Sequence, residues 1–117
     1  MKPVFWVGRS RADTRAFPAA ARRLAGFQLH RVQEGLDPVD WRPMNEVGRG
    51  VREIRIQTGE AHRIFYVTRF AEGVYVLHAF EKRSRKTTKR DLDIGRQRYR
   101  DLLEMRRAEG RDAKAKG

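Results

Sequence analysis

Between Val51 and Thr58 the sequence VREIRIQT alternates strictly. Val51, Glu53, Arg55 and Gln57 fall on one face of an extended chain, and Arg52, Ile54, Ile56 and Thr58 on the other. A period of two is the signature of a strand and is incompatible with a helix. Two further β-rich runs follow, His62–Phe70 and Val74–Phe80, separated by short turns at Gly59-Glu60 and Glu72-Gly73. Connections this short cannot carry a parallel crossover, so the three runs are expected to form an antiparallel meander.

The flanks read as one strand and three helices. Pro3–Gly8 is a short apolar run without alternation and is expected to be a well-buried strand. Ser10, with Asp13 three residues on, resembles a capping box opening a short helix. Pro18 suits the first position of a second helix, which runs to about Gln33 with Ala20, Ala21, Leu24, Ala25, Phe27, Gln28 and Val32 near one stripe. Residues 36–50 hold two prolines and two glycines without a period and read as a loop. Thr88, followed by Asp91, starts a last helix on which Leu92, Tyr99, Leu102 and Leu103 recur to about Arg107. The order is β-α-α-β-β-β-α. It predicts a single α+β domain over residues 1–107, an antiparallel curled sheet with two N-terminal helices and a C-terminal helix, the helices on one face. Residues 108–117 lack apolar content and are expected to fray as a basic tail.

Charge narrows the function. Lys and Arg number 27 against 15 Asp and Glu, a formal net charge of +12. Six of the nine residues in Lys82–Arg90, KRSRKTTKR, are cationic, between two segments that both read as ordered. Like charge held against a folded core repels itself, and a polyanion relieves that repulsion. Cysteine is absent, so thiolate chemistry and Cys-ligated zinc are excluded, and His30, His62 and His78 form no metal-ligand spacing. No run approaches the length of a membrane span, and the N-terminal apolar run is too short for a signal peptide. A cytoplasmic protein with no membrane partner is expected.

The meander gathers the cations. The start of each strand lies beside the end of the next, which brings His62 and Arg63 near Arg55 and near the basic exit of the last strand at Lys82 and Arg83. Such a cluster clamps a phosphate and stabilises charge developing on it. For any single arginine, the solvated face of an amphipathic strand is an equal alternative. Lys89 and Arg90 oppose the macrodipole at a helix N-terminus, a placement that a bound phosphate repays. Trp41, Tyr66 and Tyr99 are the aromatics best placed to stack on bases, the others reading as core. Serine triads, P-loops and dinucleotide fingerprints are absent.

From R-E-I-R-I through H-R-I-F-Y and L-H-A-F-E-K-R to T-T-K-R-D-L, with PAAARRLAGFQLHRVQEG and W-R-P-M before them, the chain resembles RelE/ParE-superfamily toxins, particularly their phage-derived HigB-like branch. The resemblance covers roughly residues 3 to 104. It implies a microbial-ribonuclease-like fold and a toxin of a type II toxin–antitoxin system that inhibits translation by cutting mRNA, usually on the ribosome. The implied chemistry is attack by a ribose 2′-OH on phosphorus without metal or cofactor. By position, Arg63 matches the phosphate-contacting arginine of the third strand, and Arg83 or its neighbour Lys82 matches the basic residue after the fourth. His62 joins them as a proton-transfer candidate, and Arg55, Arg85, Lys86, Lys89, Arg90 and Tyr66 are the implied RNA-holding set. The tyrosine that RelE-type members often carry after the second basic residue is replaced here by Thr88 or Lys89. The base is therefore open among His62, Lys82, Lys86 and Tyr66. The resemblance also implies a cognate antitoxin, usually a small helix-turn-helix DNA-binding protein. A ParE-type gyrase inhibitor and a noncatalytic nucleic-acid-binding protein are the competing readings.

Overall fold

In the computed structural model, which describes residues 1–111, a five-stranded sheet is covered by helices on both faces. The chain runs β1 (Val4–Trp6), α1 (Ser10–Arg15), α2 (Ala19–Gln33), β2 (Trp41–Pro43), β3 (Val51–Gln57), β4 (Ala61–Val67), β5 (Val74–Lys82) and α3 (Lys89–Ala108). The sheet order is β1-β5-β4-β3-β2, with β1 parallel to β5 and every other pair antiparallel. The expected α+β class and the β3–β4–β5 meander are both present. Six of the ten residues of the expected frayed tail, 112–117, lie outside the described residues, and α3 itself continues to Ala108.

The helices do not share one face. Ala21, Ala25, Leu29 and Val32 of α2 pack with Phe17 on Ile54, Ile56, Ile64, Tyr66 and Val76. On the opposite face, Tyr99 and Leu102 of α3 pack with Val51, Phe65, Val67, Tyr75, Leu77 and Phe80. The unbroken apolar runs of β4 and β5 follow from this, since a strand buried on both sides has no solvent face to alternate against. Glycine sets the approach of α3: a Cβ on Gly95 would lie 2.8 Å from the Phe65 ring and one on Gly48 2.5 Å from the Tyr99 ring. The helix can therefore lie close on the sheet only where those side chains are missing.

Four local expectations are corrected. β1 is an edge strand with Phe5 37% exposed, because no element covers its outer side. Ser10 is helical and does not cap; its buried hydroxyl instead donates to the Val76 carbonyl at 3.0 Å, tying α1 to β5. On α2 the buried stripe is Ala21, Ala25, Gln28, Leu29 and Val32, which leaves Ala20, Leu24 and Phe27 exposed. Finally, the loop after α2 contains β2, whose three residues pair with β3 despite Pro43 at the sheet edge.

A bulge shapes β5. Phe65 pairs with His78 and Tyr66 with Val76, so Leu77 is the extra residue. Leu77 joins the core under α3, and His78 reaches α3 as well, with Nε2 2.8 Å from Asp91 Oδ1. Asp91 also takes the expected capping place: its backbone N–H donates to Thr88 Oγ1, and the Thr88 hydroxyl donates to Asp91 Oδ2. Burial holds the His78 imidazole below its usual pKa, with Asp91 opposing. The start of α3, and the basic segment before it, are thereby fixed to β5.

Candidate functional site

The side of β3 that carries Val51, Glu53 and Arg55 faces α3, and α3 covers only part of it. Register does the rest. Arg42 of β2 pairs with Glu53, Arg55 pairs with Arg63 of β4, and Arg63 pairs with Phe80 of β5, two residues before Lys82. Four neighbouring strands therefore deliver Arg42, Glu53, Arg55, Arg63 and Lys82 to one end of one face. The basic segment after β5 closes over them with Arg85, Lys86 and Thr87, and Glu46 and Leu92 complete a cavity of about 390 Å³.

Six cations and two carboxylates line this cavity. Arg55 and Arg63 stand directly opposite each other across the strands, a placement that costs stability when no anion intervenes. Glu53 partly offsets the repulsion. Its side chain is 1% exposed; Oε1 accepts from Arg42 Nε at 2.9 Å and lies 3.8 Å from Arg63 Nε, while Oε2 is buried without a hydrogen-bond partner. Arg63 donates through Nη1 to the His62 carbonyl at 3.0 Å, and its Nε has no hydrogen-bond partner. Burial lowers the Arg63 pKa, with Glu53 opposing. Lys82 donates to the Arg85 carbonyl, and its pKa is lowered first by burial and then by Arg63. Such an arrangement is built to receive an anion: it carries surplus positive charge, partly desolvated, on rigid strands.

The residues expected from the sequence divide sharply. Arg55, Arg63, Lys82, Arg85 and Lys86 come together at the cavity. Arg83 does not line it; its side chain is 81% exposed and pairs with Glu81 at 3.1 Å. Lys82, the last residue of β5, lines the cavity, whereas Arg83 lies beyond the strand and does not. Lys89 pairs with Asp93 at 2.7 Å, and Arg90 is exposed outside the cavity. His62 and Tyr66 lie on the opposite side of the sheet. The His62 ring packs 4.5 Å from Phe17, and Tyr66 is buried beneath α2, its hydroxyl pushed up to about 12 by that burial. The two are thereby removed as proton-transfer groups for this cavity. Trp41 lies under the Arg52 guanidinium, and Tyr99 donates from its buried ring to the Arg49 carbonyl.

Sequence reasoning missed Arg42, Glu46 and Glu53. Arg42 stood in a segment read as loop, and Glu53 became conspicuous only through the register that sets it beside Arg42 and Arg63. A second cavity of about 430 Å³, between β1 and the end of α3, is lined by Phe5, Trp6, Tyr75, Leu102 and Met105 with Asp101, Glu109 and Arg111. It gathers no comparable group of charges. Among the described residues no cluster of His, Asp and Glu is arranged to hold a metal ion, and no helix is long and apolar enough to cross a membrane.

No curated protein matches the chain. The family described as "Phage derived protein Gp49-like (DUF891)" matches residues 12–100, a span from α1 into α3 that includes every residue lining the basic cavity. The chain belongs to this phage-derived Gp49-like family.

Proposed function

We propose that the protein is the toxin of a type II toxin–antitoxin pair, acting in the cytoplasm as an endoribonuclease on mRNA held at the ribosome. The observation that carries this reading is the cavity: Arg55, Arg63 and Lys82 converge from three adjacent strands on one partly desolvated point with positive charge to spare. Membership of a toxin-like family related to RelE supports it, as does the resemblance of the strand motifs to the HigB-like branch.

In the proposed reaction the scissile phosphate enters between Arg63 and Arg55, whose guanidinium groups hold its non-bridging oxygens. These cations stabilise the extra negative charge that the phosphorane carries in the transition state. Removing one preorganised donor of this kind costs about 10²–10³-fold in rate. The 2′-oxygen loses its proton and bonds to phosphorus, the bond from phosphorus to the 5′-oxygen breaks, and Lys82 Nζ protonates the departing 5′-oxygen. The products are a 2′,3′-cyclic phosphate and a 5′-hydroxyl. Arg85 and Lys86 hold flanking phosphates. A helix-turn-helix antitoxin would neutralise the toxin by covering the basic face.

Expression of the wild type is expected to arrest growth and cut translated transcripts, while Arg63→Ala and Lys82→Ala relieve both. Growth arrest with intact transcripts and inhibited gyrase would assign the protein to the ParE type. Salt-sensitive RNA binding without arrest would leave a noncatalytic binder.

A further inference from the structure

Arg85, Lys86 and Thr87 form one wall of the basic cavity, and they come from a segment with little to hold it in place. We infer that His78 is a positioning residue for the proposed reaction, fixing that segment over Lys82 through its bond to Asp91. The inference rests on the reading of the cavity as a ribonuclease site.

Three observations converge on it. First, residues 83–91, RSRKTTKRD, contain no large apolar side chain, so hydrophobic burial does not anchor them. Their side-chain bonds are local: Arg83 to Glu81, Ser84 to the Lys86 carbonyl, Lys89 to Asp93, and Thr88 with Asp91. Among the described residues, the one side-chain hydrogen bond that ties this stretch to a distant part of the chain joins Asp91 Oδ1 to His78 Nε2 of β5 at 2.8 Å. Second, histidine is a costly choice at that place. His78 is 5% exposed, its ring stacks 4.8 Å from Phe80, and its Nδ1 is buried without a partner. An apolar side chain there would avoid the desolvation, so stability alone does not account for the imidazole. What the polar pair adds is direction, since a hydrogen bond fixes one geometry where apolar contact tolerates several. Third, the bulge at Leu77 sets His78 opposite Phe65, on the α3 side of the sheet, and so aims it at Asp91.

From Asp91 the constraint reaches the reacting groups in short steps. Asp91 and Thr88 bond each other twice, so fixing Asp91 fixes the residue next to Thr87. Arg85 lies three residues before Thr88, and its carbonyl accepts from Lys82 Nζ at 2.6 Å. That bond orients the ammonium assigned to the departing 5′-oxygen. His78 itself lines no part of the cavity, so it acts on alignment alone. Misplacing a reacting group by about 1 Å costs up to about 10²-fold in rate.

The test is single-turnover cleavage by wild type, His78→Leu, His78→Gln and Asp91→Ala over a range of RNA concentrations, beside thermal unfolding and amide hydrogen exchange. Leucine fills the apolar place without the bond, whereas glutamine returns a donor near the Nε2 position. At saturating RNA, His78→Leu is expected to cut about 10- to 10²-fold more slowly than wild type. Its half-saturating RNA concentration should change less than about threefold, because the cations remain, and its unfolding midpoint should equal that of wild type or exceed it. Exchange over residues 83–92 should quicken in His78→Leu and slow again in His78→Gln, which should also recover most of the rate. Asp91→Ala breaks the same bond from the α3 side and should lose rate as His78→Leu does. Cleavage by His78→Leu within about threefold of wild type at saturating RNA overturns the assignment. A glutamine variant no faster than the leucine variant also overturns it, because packing alone would then explain the loss. Should His78→Leu not fold, an Asp91→Ala rate within about threefold of wild type overturns it equally. A wild type that cuts no RNA refutes the ribonuclease reading and the role in cleavage with it, whereas unchanged exchange over 83–92 in His78→Leu refutes the tie whatever the activity.

Discussion

The two ends of the sheet face beneath α3 handle arginine in opposite ways. At the closed end Arg106 of α3 donates to Glu72 Oε2 at 2.7 Å and to Oε1 at 3.3 Å, its guanidinium lies 3.7 Å above the Phe70 ring, and Tyr75 donates to the same carboxylate. There the charges of Arg106 and Glu72 answer each other. At the open end Arg42, Arg55, Arg63, Lys82, Arg85 and Lys86 share a cavity whose lining carboxylates are Glu46 and Glu53. One end is satisfied within the protein and serves stability. The other is lined by more cations than carboxylates.

The sharpest way to break this contrast is to truncate a cation at each end. Lys82→Ala should lower RNA cleavage by about 10²-fold or more while leaving the unfolding midpoint nearly unchanged. Loss of stability without loss of cleavage would reverse the assignment of that end. Salt titration of RNA binding comes next. If four phosphates are contacted, raising salt from 50 to 200 mM should weaken binding to single-stranded RNA by about 50-fold, and a flat response would remove the phosphate clamp.

Arg106→Ala should do the opposite of Lys82→Ala. It leaves Glu72 without its main partner at a largely buried site, where the side chains are 13% exposed, and should cost about 2 kcal/mol. That corresponds to roughly 10 °C in unfolding midpoint for a domain of this size, with cleavage by the folded fraction intact. The same pair sets an acid response. Arg106 holds the Glu72 carboxyl at about 2, well below its ordinary 4.5. Its stabilisation is complete above pH 4.5 and is lost as pH falls toward 2. Denaturant melts of wild type and Glu72→Gln should therefore differ most above pH 4.5 and converge toward pH 2. The smallest effect is expected from Arg83→Ala, outside the cavity, which should change cleavage less than threefold despite its place in the basic run.

How far the sequence carried this picture depended on the kind of signal. The meander was legible because VREIRIQT obeys a period of two, and the start of α3 because Thr88 and Asp91 have a direct capping role. The two-sided core was present as the unbroken runs of β4 and β5, yet a run without alternation does not say what covers each face. The α2 stripe was misjudged at Leu24 and Phe27 because the helix packs through its alanines, leaving larger side chains outside. In the cavity, Arg63 and Lys82 were legible from strand order. Arg42 and Glu53 were not, because a three-residue edge strand containing proline carries too little pattern to reveal its register.

The most direct measurement of the central claim is the chemistry of RNA ends after incubation with wild type in chelator, with Lys82→Ala alongside. Fragments carrying 2′,3′-cyclic phosphate and 5′-hydroxyl ends, formed by wild type and nearly absent with the variant, are the predicted result. Intact RNA, or fragments ending in 3′-hydroxyl, would contradict the account of the open end as the place where a ribose hydroxyl attacks its own phosphate.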